Sequence, residues 1–254
     1  MMTKKIAVLA LTLTLMAATS AMANTFAQVI EVGNPVQITI LNTAGTVTIT
    51  GSSTAGGDNF TFQVATGLGP AGTSQLATFS LTATSTQTGT CGSSTCPNGD
   101  SFTEQGFTGS FSYTDAVAGP NFGKILLAGT FNVNATPANS GGKFSSTVGG
   151  TGATYEATQT AGNLNGIVMN SAFLDFTGVT VEDGTWAISG LSPAFSVNGT
   201  TNGITLPTTG TSFTGQLTGT FSSQNAPGAP EPMTLSLIGG GLIGLALLAR
   251  RRRA

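Results

Sequence analysis

Residues 36–40 read Val-Gln-Ile-Thr-Ile, and residues 46–50 read Thr-Val-Thr-Ile-Thr. In an extended chain Val36, Ile38 and Ile40 share one face, Val47 and Ile49 share another, and Gln or Thr takes the reverse side. A period of two marks a strand with one face buried and one wet. The alternation continues outward from this pair. Phe60, Phe62 and Val64 alternate with Thr61 and Gln63, and Phe79, Leu81 and Ala83 follow; Phe195 with Val197 and Ile204 with Leu206 are shorter instances. Clusters of Gly, Asn, Ser and Pro separate the runs, as turns require. No stretch between the two ends sustains an apolar period of 3.6. The expected body is all-β, a β-sandwich or Greek-key barrel, with a β-solenoid as the alternative.

A second pattern recurs three times. Phe107-Thr108-Gly109-Ser110-Phe111 leads to Tyr113; Ile125, Leu127, Gly129, Phe131 and Val133 share a face; so do Phe213, Gly215, Leu217, Gly219 and Phe221. Each sets Gly at core-facing positions among large apolar residues. Such a Gly leaves a gap for an aromatic from a neighbouring strand, or marks a bend. The spacing is too irregular for a fixed-period solenoid. All 15 Phe lie between the two ends of the chain, so the core is expected to be phenylalanine-rich.

Only 7% of the 254 residues are charged, and there is no His. A typical soluble domain is about 25% charged. No basic face is available for nucleic acid, imidazole catalysis and ligation are excluded, and a coiled-coil composition is absent. The charge is also segregated. Lys4 and Lys5 stand near the start, Arg250, Arg251, Arg252 and Arg253 near the end, and residues 24–229 keep only Lys124 and Lys143 against nine acids, a net of −7.

Residues 1–23 have the layout of a cleaved secretory signal. Lys4 and Lys5 form the positive region, Ile6 to Met16 the apolar region, and Ala21-Met22-Ala23 the cleavage site, so the mature chain begins at Asn24. The apolar region is too short to span a bilayer, which needs about 20 residues. The Sec translocon and signal peptidase are the partners this implies. A β domain over 24–226 and a linker at 227–229 follow.

Residues 230–254 are the most informative stretch. Pro230-Glu231-Pro232 precedes 17 uncharged residues, 233–249, and then Arg250 to Arg253. As a helix the span would measure about 25 Å, slightly short of a hydrocarbon core of about 30 Å, and Gly239, Gly240, Gly241 and Gly244 weaken it as a helix. The arginines should stay cytoplasmic, which leaves the body outside the inner membrane. This tripartite tail resembles the PEP-CTERM sorting signal of Gram-negative bacteria. The resemblance is confined to residues 230–254 and implies recognition by an exosortase, cleavage near Pro230-Glu231-Pro232, and delivery to the cell surface or an extracellular matrix. It also implies an association with exopolysaccharide and biofilm. The tail is then a substrate, by the logic of other signals whose hydrophobic tail is removed.

The body offers few chemical candidates. Cys91 and Cys96 in CGSSTC are expected to form a disulfide in an exported chain, pinning a loop between the strands near Phe79 and Phe107. Asn98, Asp100 and Glu104 are weak candidates for Ca²⁺, although Asn98-Gly99-Asp100 also reads as a turn. Glu182-Asp183-Gly184 reads equally as a turn before Trp186. No metal and no cofactor is expected. A glycosidase would need two carboxyls facing each other across a sugar, and Trp186 beside Glu182 and Asp183 is the place to look. Thr82, Thr84, Thr86, Thr88 and Thr90 alternate, which suits the wet face of a strand. The function expected is that of a non-enzymatic surface or matrix protein. The alternatives are a carbohydrate- or calcium-dependent adhesin and a secreted hydrolase with a carboxylate pair.

Overall fold

The computed structural model describes residues 24–31, 37–53, 57–131, 141–158, 167–177, 179, 181–197 and 212–224. The signal sequence, Val36, Val133, Ile204, Leu206 and the whole sorting tail with its expected transmembrane helix lie outside the described residues.

The described chain is all-β: β1 (Asn24–Glu31), β2 (Gln37–Thr43), β3 (Thr46–Ser52), β4 (Asp58–Phe62), β5 (Ser74–Ser85), β6 (Thr90–Cys91), β7 (Ser101–Asp115), β8 (Ile125–Phe131), β9 (Gly141–Thr147), β10 (Ala153–Thr158), β11 (Ile167–Asn170), β12 (Glu182–Ser192) and β13 (Ser212–Ser223). All thirteen join one sheet, and every ladder is antiparallel. Stacked solenoid turns would pair in parallel, so the solenoid alternative does not describe this chain.

The alternation that opened the sequence reading becomes the pairing of β2 with β3, in which Ile40 faces Ile49 and Thr39 faces Thr50. Ile38, Ile40, Val47 and Ile49 are all buried. From β13 the ladders run through β12, β10, β9, β7, β5, β3 and β2 and return to β13. Closure removes most of the free edges that make a sheet prone to aggregate.

Three of the long strands, β5, β7 and β13, each pair with two shorter ones along their length. β13 pairs with β2 through Ser212–Gly215 and with β1 through Gly219–Ser223. β7 repeats this, pairing with β9 through its first half and with β8 through its second. The two strands also share their sequence. Ser101-Phe102-Thr103-Glu104-Gln105-Gly106-Phe107-Thr108-Gly109-Ser110-Phe111-Ser112 matches Ser212-Phe213-Thr214-Gly215-Gln216-Leu217-Thr218-Gly219-Thr220-Phe221-Ser222, with Gly106 as the one insertion. Gly106 is where the β7–β9 register slips, and it sits at φ +84°, where a side chain would be strained. The connectivity repeats as well: β1 pairs with β4 around the β2–β3 hairpin, and β8 pairs with β11 around the β9–β10 hairpin. The body is an internal duplication whose halves exchange their last strands, β13 closing the first half and β7 the second.

The inside of the ring is aromatic. Trp186, Tyr113, Tyr155 and most of the phenylalanines are fully buried. Phe111, Trp186 and Phe221 pack with ring centroids 4.9–5.4 Å apart, in edge and stacked arrangements. The Trp186 indole N–H donates to the Tyr113 hydroxyl at 3.1 Å. Gly129 fits the expectation: a Cβ there would lie 2.5 Å from the Phe111 ring, so that ring occupies the gap. Gly109 and Gly215 do not, since the nearest atoms are the Thr82 carbonyl at the first, and the Ile188 side chain with the Ser189 carbonyl at the second.

Candidate functional site

The aromatic residue singled out for a sugar site does not reach the surface. Trp186 is 0% exposed, and Tyr113 and Tyr155 are buried with it. Residues 182–184 are not a turn before Trp186 but the first residues of β12. Alternation along that strand buries Glu182, Gly184 and Trp186 and turns Asp183 to the other side. The supposed carboxylate pair is therefore split across the wall of the ring.

Each carboxyl has its own surroundings. Glu182 accepts the backbone N–H of Met169, the hydrogen bond that ties β11 to the start of β12. The equivalent place in the first half of the duplication is filled by a backbone bond, from the Phe62 N–H to the Thr73 carbonyl. Burial pushes Glu182 up to about 7, against the opposing effect of the Met169 N–H. Asp183 rises to about 6, from burial first and the neighbouring Glu156 carboxylate second. Glu156 itself pairs with Lys143 at 2.8 Å on the outer wall.

Asn98, Asp100 and Glu104 are not brought together either. Pro97 to Asp100 form a turn, with the Asp100 N–H on the Pro97 carbonyl and Gly99 at φ +93°. The Asp100 carboxylate accepts from the Ser93 N–H, the Ser93 hydroxyl and the Ser101 N–H, at 2.7–3.0 Å. Those bonds, from Ser93 above all, stabilise the carboxylate and hold its pKa below the usual carboxylate range. Glu104 is four residues further along an extended strand, some 13 Å away by strand rise, and it points into the ring. Burial raises it to about 7, and only the Ser85 hydroxyl opposes the shift.

Cys91 and Cys96 form a disulfide with Cα atoms 5.6 Å apart. It closes the loop between β5 and β7 where β6 pairs with β7. Asp100 lies within 4.8 Å of both sulfurs, but sulfurs bonded to each other are not thiolate ligands.

Among the described residues there is also a surface groove of about 450 Å³ beside the β9–β10 hairpin. Ser101, Ser145, Ser146, Thr147 and Thr154 line it with hydroxyls, over a floor that includes Phe102 and Ile188. The sequence reading missed it. Its wall comes from β9, whose Gly-Gly-Lys-Phe-Ser-Ser-Thr lacks a recognisable alternation. A row of hydroxyls can exchange hydrogen bonds with a polyhydroxylated chain, and nothing in the row can transfer a proton at neutral pH.

No known protein family, curated protein or solved structure matches this chain.

Proposed function

We propose that this chain is an exported, non-enzymatic surface or extracellular-matrix protein, routed by an exosortase and held among exopolysaccharide. The observation that carries the reading is the three-part sequence of the tail: Pro230-Glu231-Pro232, the uncharged span 233–249, and Arg250 to Arg253. In this reading the span transiently anchors the chain in the inner membrane with the body outside, and processing near Pro230 passes the body on. The disulfide in the body is consistent with an oxidising compartment. The closed ring of ladders supports a barrel-like sandwich, poor in charged residues and net acidic, as the cargo.

The hydroxyl-lined groove supports polysaccharide as the partner of the body. It favours contact through hydrogen bonding over an aromatic platform, because Trp186 and both tyrosines are buried. The hydrolase reading draws no support from Glu182 and Asp183, which the wall of the ring separates.

Localisation of tagged protein in cells with and without the exosortase tests the route. The expected result is surface or matrix protein whose intact mass lacks Arg250–Arg253, and accumulation in the inner membrane when the enzyme is missing. Mature protein that retains the four arginines would overturn it. Binding to extracted exopolysaccharide, with and without Ca²⁺, tests the partner; Ca²⁺-independent retention is expected.

A further inference from the structure

The ring has two ends, and the strands decide which one meets the membrane. In an antiparallel ring, direction alternates from strand to strand. β13 is followed by β1, β4, β5 and β7, so β13 and β7 run the same way and finish at the same end. β13 ends at Ser223, paired with Asn24, so both ends of the described body leave there. Only residues 225–232 separate Gln224 from the span that begins at Met233. Eight extended residues reach at most about 29 Å.

At that end the β7–β8 loop presents apolar side chains to solvent. Phe122 is 64% exposed, the most exposed of the large apolar residues described, and Val117, Ile125 and Leu76 are exposed beside it. Leu76 belongs to this patch because its carbonyl accepts the Ala116 N–H. The loop is built rather than loose. The Asp115 N–H donates to the Lys124 carbonyl, the Gly123 N–H to the Asp115 carbonyl, and the Phe122 N–H to the Gly119 carbonyl. The Asp115 carboxylate accepts the Val117 N–H. Residues 116–124 contain no acid and hold Lys124, one of only two lysines between 24 and 229. A contiguous exposed apolar patch marks an interaction surface. A fixed Phe with a neighbouring cation suits the boundary between lipid headgroups and acyl chains.

We infer that the β7–β8 loop is a membrane-docking loop, which sets Val117, Phe122 and Ile125 into the bilayer surface crossed by residues 233–249. This rests on the reading of 233–249 as a span. Docking would seat the ring end-on, keep Pro230-Glu231-Pro232 at the bilayer surface, and turn the hydroxyl groove outward. The groove lies at the opposite end, where β7 begins and β9 ends.

The test uses the chain from Asn24 to Ala254, reconstituted into phosphatidylcholine–phosphatidylglycerol vesicles with brominated acyl chains. Phe122→Trp adds a reporter to the buried Trp186, and Thr43→Trp places one at the far end. The expected result is about a two-fold loss of the added emission for Phe122→Trp against unbrominated vesicles, and none for Thr43→Trp. Vesicle flotation of the chain without quenching at 122 would overturn the docking and leave the span standing. Equal quenching at both positions would overturn end-on seating. Failure to float would overturn the span and the docking together.

Discussion

Glu104 is the most exposing test of how this core is balanced. Its carboxyl lies inside the ring, 1% exposed, facing Phe144 across the β7–β9 ladder. The matching position in the other half of the duplication is Gly215, and the space there is taken by the Ile188 and Leu191 side chains and the Ser189 carbonyl. A carboxyl therefore stands where the symmetric site carries no side chain and no ionisable group. Burial raises it from 4.5 to about 7. Because the folded value lies above the unfolded one, the folded chain binds the extra proton. The associated stability is full below about pH 4.5 and is lost as pH rises through about 7. At about 1.4 kcal/mol per pH unit, that shift makes the ionised form cost about 3 kcal/mol at alkaline pH. Glu104→Gln removes the charge and nearly keeps the shape. Urea unfolding followed by the emission of Trp186, the only tryptophan, should show the variant about 2 kcal/mol more stable than the parent at pH 8 relative to pH 5. An equal effect at both pH values would refute the argument from buried charge.

Three further outcomes follow from the packing. Gly109→Ala should destabilise the chain by about 3 kcal/mol, because its Cβ would lie 2.0 Å from the Thr82 backbone carbonyl, while Gly219→Ala at the repeat-related position meets nothing closer than 3.3 Å and should cost about 1 kcal/mol or less; thermal unfolding of the two variants compares them. Replacing Cys91 and Cys96 by Ser should cost about 2 kcal/mol on the loop-closure model and leave far-UV circular dichroism unchanged. Lys143→Ala, which removes the partly exposed partner of Glu156, should move the urea midpoint little, by about 0.5 kcal/mol or less.

Much of the architecture was legible because a half-buried strand writes its burial into alternate residues. The strands around Ile38, Val47, Phe60 and Phe79 fall where the alternation puts them. The turn at Asn98-Gly99-Asp100 and the pairing of Cys91 with Cys96 were legible too, since both depend on residues near in sequence. β9 and β11 were not. One has Phe144 as its single large apolar residue and the other has only four residues, so neither carries a readable period. Glu182-Asp183-Gly184 looked like a turn because local composition favours one, yet the ladder with Ser222 and Phe221 holds it extended. Tertiary pairing outweighs a weak local preference.

By itself the sequence determined the strand class, the segregation of charge, the disulfide and the tail on which the route of export is proposed. All of these rest on residues close together along the chain. Only the tertiary structure decided which faces turn inward to the same place. It put Trp186 and Glu182 inside the ring and Asp183 outside, lined a groove with hydroxyls from three strands, and brought Phe122 to the end from which β13 departs. Those positions depend on register between strands distant in sequence, and a shift of one residue would exchange every inner side chain for an outer one.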